Sequence, residues 1–241
     1  MTFIVIIPAR YGSKRLPGKP LLELQGKTLI QRVFEKAKSS KADKVYIATD
    51  HQKILDCCNG FGATPVLTSS KHLTGTDRIA EAVVKLKIKD DSVIVNLQGD
   101  EPFIDPKDVN NVARFLEDRT KFDMGTLFSE LQTQDEDNQN IVKIWIDQDN
   151  KVKGFSRNKN FIQTKGLVRR RHLGIYSYRA SFVKKFVSWD QTENEISESL
   201  EQLRVLENNS SIGAIEALSK SQLGIDTEEE LIKARSIISD E

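Results

Sequence analysis

A cluster of cations and glycines follows the first apolar run of the chain. Residues 8–20 read PARYGSKRLPGKP, and the cations in this stretch are Arg10, Lys14, Arg15 and Lys19. Glycines let backbone N–H groups approach anionic oxygens, and cations neutralise the charge on those oxygens. The stretch therefore has the composition of a triphosphate-binding loop, although a solvated basic loop would have the same composition. It is not a Walker A motif, because five residues separate Gly12 from Gly18 and a proline follows the lysine.

Two aspartates that follow apolar stretches are candidates for a metal site. Asp100 comes after the apolar run 92–97, and Asp226 comes directly after 223–225. If both runs are parallel strands of one sheet, their carboxyl ends meet at one edge and bring the two side chains together. Magnesium typically takes one or two carboxylates together with phosphate oxygens and water. The sequence therefore predicts a magnesium site at Asp100 and Asp226, with a helix N-cap as the alternative role of Asp226. A strand that continued past Asp100 would point Glu101 elsewhere, so Glu101 is not assigned to the site.

Short apolar runs alternate with helix-period segments through the first half of the chain. Alternation of this kind indicates βαβ units and an α/β fold, with a mostly parallel sheet and helices on both faces. Ligands of such sheets bind beyond the carboxyl ends of the strands, so we expect the polar clusters at 8–20, 68–78 and 98–102 to converge on one edge. The predicted strands are 3–7, 45–49, 65–69 and 92–98, and the predicted helices are 28–39, 51–60, 76–87 and 105–118.

The second half of the chain has a different pattern. IVKIWID and VKGFS flank QDNK, which indicates a hairpin or a bent ribbon. A further helix is marked by the apolar positions Ile196, Leu200, Leu203 and Leu206. We expect one domain over residues 1–241, with an inserted β-ribbon that also serves dimerisation at roughly 140–190. The remaining predicted strands are 172–178, 212–218 and 223–225, and a closing helix is predicted at 227–238.

Composition argues against several function classes. Charged residues make up 29% of the 241 residues, but the net charge is only +1, so no overall basic field favours nucleic acid. No apolar run approaches the roughly 18 residues that span a bilayer, and the N-terminus has no signal-peptide pattern. The two cysteines, Cys57 and Cys58, are adjacent, which suits neither a disulfide nor a metal site. We therefore expect a cytoplasmic protein without nucleic-acid or membrane partners.

The stretch IIPARYGSKRLPGKPL resembles the signature loop of the sugar-acid cytidylyltransferases. Within that family it is most similar to the members that activate 3-deoxy-manno-octulosonate (Kdo). Seven further stretches match in the family's order: ATD at 48–50, TSSKHLTGTDR at 68–78, NLQGDEP at 96–102, FSR at 155–157, RHLGIYSYR at 171–179, LEQLR at 200–204 and GIDT at 224–227. A single match would be weak, whereas eight in order over nearly the whole chain are very specific.

The resemblance implies a Rossmann-like nucleotidyltransferase fold and a cytoplasmic homodimer. It also implies a magnesium-dependent reaction in which CMP passes from CTP to the anomeric hydroxyl of a 2-keto sugar acid, with Kdo as the expected acceptor, and pyrophosphate leaves. The product would be an activated donor for lipopolysaccharide synthesis. A magnesium ion between the α-phosphate and the hydroxyl would lower the pKa of the hydroxyl and make a separate protein base unnecessary.

The residue types and the resemblance together assign site roles. The catalytic candidates are Arg10, Lys19, Asp100 and Asp226. The CTP-binding candidates are Ala9, Arg10, Ser13, Arg15, Lys19, Ser69, Arg78 and Gln98, and the pyrimidine edge would be read by Arg78, Ser69 and the backbone near Ala9. The sugar-binding candidates are Arg157, His172, Tyr176, Glu201 and Gln202. A buried structural role remains open for His172, and a capping role remains open for Thr76 or Asp77.

One segment departs from the family pattern and keeps alternatives open. After FSR the family continues with an apolar, proline and aromatic stretch, whereas this chain has NKNF and then a basic run within 158–171, and ENNSS follows the LEQLR helix. The alternatives are a cytidylyltransferase for a related sugar acid, such as an amino-substituted or sialic-acid-like sugar, and a nucleotide-binding paralogue without catalysis. Retention of Arg10, Lys19, Asp100 and Asp226 argues against the second.

Overall fold

The computed structural model describes residues 2–13, 15–158, 166–219 and 223–239. Its strands are β1 (Phe3–Ala9), β2 (Glu23–Leu24), β3 (Lys27–Thr28), β4 (Lys44–Thr49), β5 (Thr64–Leu67), β6 (Val93–Leu97), β7 (Met124–Ser129), β8 (Lys143–Ile146), β9 (Val152–Ser156), β10 (Val168–Arg179) and β11 (Ile212–Glu216). Its α-helices are α1 (Leu29–Lys38), α2 (Gln52–Gly60), α3 (Gly75–Lys85), α4 (Pro106–Asp118), α5 (Ala180–Phe186), α6 (Glu193–Glu198), α7 (Leu203–Glu207) and α8 (Glu228–Ser239).

The central sheet has the strand order β11-β7-β10-β6-β1-β4-β5. Strand β1 pairs in parallel with β4 and β6, and β4 pairs in parallel with β5. Strand β10 runs antiparallel to β6 and β7, and the predicted hairpin β8–β9 extends the sheet from β10. The prediction of an α/β fold with a mostly parallel sheet is therefore confirmed, with antiparallel pairing concentrated in the second half of the chain.

Alternation along β1 shows how both faces of the sheet are covered. Val5 and Ile7 belong to a core cluster with α1, α2 and α4, whereas Ile6 belongs to a second cluster with α3 and α5. All three side chains are fully buried. A parallel strand that is covered on both faces reads as a continuous apolar run, which explains the sequence FIVII.

Strand β7 is an element that the sequence analysis does not predict. It lies between β10 and β11, and its residue Gly125 pairs with Ser177. A Cβ at Gly125 would lie 2.6 Å from the Ser177 hydroxyl oxygen, so the two strands approach too closely there for any other residue. The run MGTLFS has no regular alternation because both faces of β7 are buried.

Two predictions for the second half are wrong in their local structure. The expected helix through Leu200 is two short helices, because Ser199 ends α6 in the left-handed conformation with φ of 52°. Ile196 is consequently exposed instead of facing the core. Residues 223–225 are not a strand, although the backbone N–H of Ile225 donates to the carbonyl of Asp100 at 2.9 Å. That one bond still brings the next residue, Asp226, to the edge of the sheet.

Among the described residues, the structure contains no helix that is both long enough and apolar enough to cross a membrane.

Candidate active site

A cavity of about 910 Å³ opens beyond the carboxyl ends of β1 and β6. The predicted basic loop, the turn after β6 and the N-terminus of α3 form one end of it. Residues from the segment after β9 and from α6 form the other end. The polar clusters expected to converge at one edge therefore do so. Predicted site residues that line the cavity are Ala9, Arg10, Ser13, Arg15, Lys19, Arg78, Gln98, Asp100, Arg157, Glu201 and Asp226.

The basic loop folds back on itself around Tyr11. The Tyr11 carbonyl accepts from the N–H groups of Ser13 at 2.9 Å and Gly18 at 3.1 Å, while the Tyr11 N–H donates to Asp50 at 3.0 Å. Gly18 has φ of 67°, a left-handed conformation that favours glycine. The Tyr11 ring stacks on His51 with 4.0 Å between ring centroids. These contacts hold the loop so that its cations face the cavity; Lys14 lies outside the described residues.

Lys19 joins the two aspartates that the sequence predicts to meet. Its Nζ lies 2.7 Å from Asp100 Oδ2 and 2.8 Å from Asp226 Oδ1. Arg15 approaches the other oxygen of Asp226 at 2.8 Å. Burial acts to lower the pKa of Lys19, but the charges of Asp100 and Asp226 outweigh it and leave that pKa raised. Burial likewise acts to raise the pKa of Asp226, and the charges of Lys19 and Arg15 hold it below its usual value.

Asp226 is not the N-cap of α8. The Thr227 hydroxyl accepts from the backbone N–H of Glu230 at 3.3 Å, and the Glu230 carboxylate accepts from the N–H groups of Asp226 and Thr227 at 2.7 and 2.9 Å. This reciprocal arrangement is a capping box centred on Thr227. The side chain of Asp226 is thereby left to face the cavity cations, and the capping alternative is excluded.

Glu101 lies closer to this site than the sequence predicts. Residues 98–101 form a turn instead of a continued strand, and the Glu101 carboxylate packs on Gly224, where an added Cβ would lie 3.0 Å from it. Its Oε2 is buried and has no hydrogen-bond partner among the described residues. Burial, followed by the charge of Asp100, raises the pKa of Glu101 to about 8. The carboxylate therefore packs tightly beside the segment that carries Asp226.

The donor set at this end fits a divalent cation of the magnesium type. Asp100 and Asp226 supply hard carboxylate oxygens, and both already converge on one positive charge, the Lys19 ammonium. The described residues contain no group of three or more acidic, histidine or cysteine side chains arranged for a metal. Magnesium usually needs only one or two carboxylates from the protein, since phosphate and water complete its coordination.

Arg78 is fixed by protein partners instead of being free to read a base. It is 3% exposed, and its guanidinium donates to Thr68 at 2.6 Å, to the Ser69 carbonyl at 3.3 Å and to Asp50 at 3.0 Å. Ser69 does not line the cavity, and its N–H donates to Glu81 at 2.8 Å. Arg78 thus forms part of the cavity wall, Ser69 lies beside it, and their roles in reading the pyrimidine edge stay predictions.

The start of α3 corrects a second prediction about this segment. Thr74 is the N-cap, and Asp77 completes its capping box. Thr76 instead donates its hydroxyl to Glu201 at 2.7 Å, and its N–H donates to the same carboxylate at 3.2 Å. Burial raises the pKa of Glu201, while the bonds from Thr76 partly oppose that rise. Gln98, the remaining candidate here, donates to Asn96 at 2.9 Å.

Three of the sugar-binding candidates are buried outside the cavity. The side chains of His172, Tyr176 and Gln202 are 8, 5 and 2% exposed, and none of them lines it. His172 Nε2 lies 3.0 Å from the Thr126 hydroxyl, and burial, followed by the charge of Arg157, lowers its pKa to about 3. Neighbouring strands and helices cover these residues, and the sugar contact predicted for them stays a prediction.

Several residues at the site escape the sequence analysis. Asp50 joins the basic loop to Arg78, and His72 lines the cavity 2.5 Å from Glu81. Glu198 accepts from Ser156 at 2.9 Å and from the N–H of Arg157 at 2.9 Å. Among these residues, Asp50 could have been found from the sequence, because it follows a predicted strand in the motif ATD. The part of the departing segment at 159–165 lies outside the described residues.

A nucleotide-sized cavity with cations, paired carboxylates and a glycine loop beyond parallel strands is typical of the nucleotidyltransferases. Comparison with known proteins agrees: residues 4–212 match the cytidylyltransferase family. Relatives named 3-deoxy-manno-octulosonate cytidylyltransferase, from Glaesserella parasuis and Haemophilus influenzae, are 45% and 43% identical and cover 99% of this chain and 98% and 99% of their own length. The chain therefore belongs to the cytidylyltransferase family.

Solved structures support the same conclusion. A CMP:2-keto-3-deoxy-manno-octonic acid synthetase complexed with CTP has a TM-score of 0.90 at 33% identity, with 99% of this chain and 98% of that chain covered. A cytidylyltransferase from Leptospira borgpetersenii shares the fold, with a TM-score of 0.66 at 21% identity and coverage of 100% and 87%. The predicted Rossmann-like nucleotidyltransferase fold is therefore confirmed, since the first of these structures aligns with 99% of this chain.

Proposed function

We propose that this chain is an enzyme that transfers CMP from CTP to Kdo and releases pyrophosphate. The anomeric hydroxyl oxygen forms a bond to the α-phosphorus, and the bond from that phosphorus to the oxygen bridging to the β-phosphate breaks. Pyrophosphate leaves with the electron pair, and the hydroxyl proton is released. The observation that carries the proposal is the single cavity with Arg10, Arg15 and Lys19 at one end and Arg157 and Glu201 at the other. The named relatives supply the identities of nucleotide and acceptor.

The basic loop suits the leaving pyrophosphate. Phosphoryl transfer of this kind depends on positioning and on neutralising charge that grows in the transition state. Arg15 pairs with Asp226, Lys19 pairs with both Asp100 and Asp226, and both cations line the cavity, where they can neutralise phosphate oxygens. The folded loop around Tyr11 holds them in place beforehand, so little reorganisation is needed.

We also propose that magnesium binds at Asp100 and Asp226, because both carboxylates face the same point of the cavity. When bound, magnesium supplies positive charge to phosphate oxygens and acidifies a hydroxyl that it coordinates. The chain's own part is to align both carboxylates, and Lys19 bonds to each of them. Burial acts to raise the pKa of Asp226, but the charges of Lys19 and Arg15 hold it below its usual value.

The sugar end supplies a fixed cation and fixed acceptors. Arg157 donates through Nε to the Glu198 carbonyl and through Nη1 to the Gln139 carbonyl, both at 3.0 Å, and it lines the cavity together with Glu201. A guanidinium suits the carboxylate of a sugar acid. Gln139 and Asn140 line the same end and offer amide groups for hydroxyls.

The remaining parts of the proposal concern assembly and context. The resemblance supports a cytoplasmic homodimer whose product, CMP-Kdo, is the donor for lipopolysaccharide synthesis. Light scattering of the purified protein measures the oligomeric state directly.

Pyrophosphate release from purified protein tests the activity. CTP, Kdo and magnesium together should give release, whereas omission of any one should abolish it. ATP and GTP should be poor substitutes for CTP, and UTP, which differs at the N3/N4 edge, should be penalised by mismatched hydrogen-bonding groups. A panel of sugar acids measured in parallel decides the acceptor. Failure of Kdo with success of another acid would transfer the proposal to that acid, and failure of every acid would refute enzymatic CMP transfer.

A further inference from the structure

Lys143 is a charged residue in the interior that the proposed reaction does not use. It lies in β8 and is 0% exposed. Its ammonium donates to the backbone carbonyls of Asn138 at 2.6 Å and Arg157 at 3.0 Å. Among the described residues no carboxylate forms an ion pair with it, and burial, followed by the charge of Arg169, lowers its pKa.

A buried ammonium without an ion pair is unfavourable unless its hydrogen bonds compensate for lost hydration. An apolar side chain of similar length would fill the same volume without that cost. The presence of a lysine at this position is therefore best explained by the two carbonyls to which its ammonium donates. They belong to two different segments, one before β8 and one after β9.

Both segments carry residues of the sugar end of the cavity. Asn138 precedes Gln139 and Asn140, which line the cavity, and Arg157 lines it directly. Arg157 in turn donates to the carbonyl of Gln139 at 3.0 Å. Lys143 thus lies behind the wall and connects the two segments from the interior, while Arg157 connects them at the surface of the cavity.

We infer that Lys143 is a positioning residue for the sugar-acid end. By holding the carbonyls of Asn138 and Arg157, its ammonium fixes Arg157 and the turn with Gln139 and Asn140 in the arrangement that receives the acceptor. This inference rests on the proposed function, and it assigns Lys143 no contact with either substrate. The nucleotide end, formed by the basic loop and the paired aspartates, is independent of it.

Lys143→Met is the central variant, because methionine keeps the length of the side chain and removes the donors. We expect the KM for Kdo to rise by about ten- to a hundredfold, since small misplacements of binding groups have effects of this size. The KM for CTP should stay within about twofold, because the nucleotide end keeps its contacts. Lys153→Met is the matched control: Lys153 lies on the same ribbon, its side chain is 39% exposed, and it pairs with Asp147 at 3.1 Å. It should change neither KM.

A double-mutant cycle with Arg157→Ala separates positioning from general destabilisation. If Lys143 acts through Arg157, the double variant should bind Kdo no more weakly than Arg157→Ala alone, because coupled residues are not additive. Hydrogen exchange should also become faster at 138–142 in Lys143→Met and not in Lys153→Met. Lys143→Leu, which also removes the donors, replaces methionine in every measurement if Lys143→Met does not fold.

Wild-type turnover with CTP and Kdo reports the proposed function, while hydrogen exchange at 138–142 reports the inference even if another acceptor is used. Three kinetic results would each overturn the inference. They are an unchanged KM for the acceptor in the Lys143 variant, equal increases in both KM values, and additive effects in the double-mutant cycle. So would unchanged hydrogen exchange at 138–142.

Discussion

The two ends of the cavity differ in how their charged groups are held. At the nucleotide end, Arg15 and Asp226 have side chains that are 55 and 44% exposed, and they pair with each other. Glu195, which lines the cavity, pairs with Arg204, which does not; both side chains are 3% exposed, and the two lie 2.5 Å apart. Exposed pairs contribute little to stability and exchange partners easily, whereas a buried pair is costly to break. The Arg15–Asp226 pair can therefore exchange its partners for ligands, whereas the Glu195–Arg204 pair, like the buried Arg78–Asp50 pair, keeps the cavity wall in shape.

The largest expected effect comes from the aspartates of the nucleotide end. Asp226→Asn and Asp100→Asn should each reduce magnesium-dependent turnover by about a thousandfold or more, because a metal contributes several kcal/mol of charge stabilisation. Both variants should fold normally and still bind CTP. Turnover against magnesium concentration and equilibrium CTP binding measure this.

Glu230→Gln is the matched control for the aspartate variants, because it weakens the capping box of α8 and leaves Asp226 in place. It should lower the Tm and keep full turnover. Full activity of Asp226→Asn at limiting magnesium, with only a lower Tm, would refute the two-aspartate site.

Lys19→Ala should reduce kcat by about a hundred- to a thousandfold, the usual effect of losing one preorganised donor. Lys19 is the group that faces both aspartates and lines the cavity with the other loop cations. Lys27→Ala is the control, since Lys27 is an exposed cation close in sequence that pairs with Glu35 on the surface. Steady-state kinetics of both variants measure the difference. Near-normal turnover in Lys19→Ala would remove the basic loop from the mechanism.

The two ion pairs should differ most in what their loss does to the free energy of unfolding, which variants of Arg204 and Arg15 compare. Arg204→Met should reduce the free energy of unfolding by about 3–5 kcal/mol, because it leaves the buried Glu195 without its partner. Arg15→Met, which removes an exposed pair, should change it by no more than about 1 kcal/mol. Urea unfolding of both variants gives the two values. Equal losses would contradict the proposed difference between the two ion pairs.

The two ends also differ in how well the sequence predicts them. The nucleotide end is built from residues at the ends of parallel strands, which meet at one edge of the sheet. These residues can be predicted once the alternation of strands and helices in the sequence is recognised. Asp100 and Asp226 meet as expected even though residues 223–225 are not a strand, because one backbone bond from Ile225 to Asp100 does the same.

The sugar end depends on contacts that carry no periodic signal. Glu201 binds Thr76 across 125 positions of the sequence, and Glu198 holds Arg157 across 41. Ser199 interrupts a leucine pattern that otherwise indicates one helix. Tertiary packing decides which side chains of these motifs reach the cavity, and no sequence pattern reports it. His172, Tyr176 and Gln202 are therefore candidates by their motifs, although the fold buries them.

The smallest expected effect concerns the pH dependence that this burial causes. His172 has a folded-state pKa of about 3, well below its usual value, because it is held neutral in the interior. Between pH 6.5 and 3 the unfolded chain binds a proton that the folded protein excludes, so stability falls as the pH drops below 6.5. The expected loss is at most about 1.4 kcal/mol per pH unit.

Urea unfolding at pH 7, 6 and 5 measures this loss, and His172→Gln, which does not titrate, should reduce its slope. Carboxylates contribute to the acid limb of both proteins in the same way, so the difference between them isolates the histidine. If His172→Gln and wild type lost stability equally between pH 7 and 5, His172 would not be held neutral.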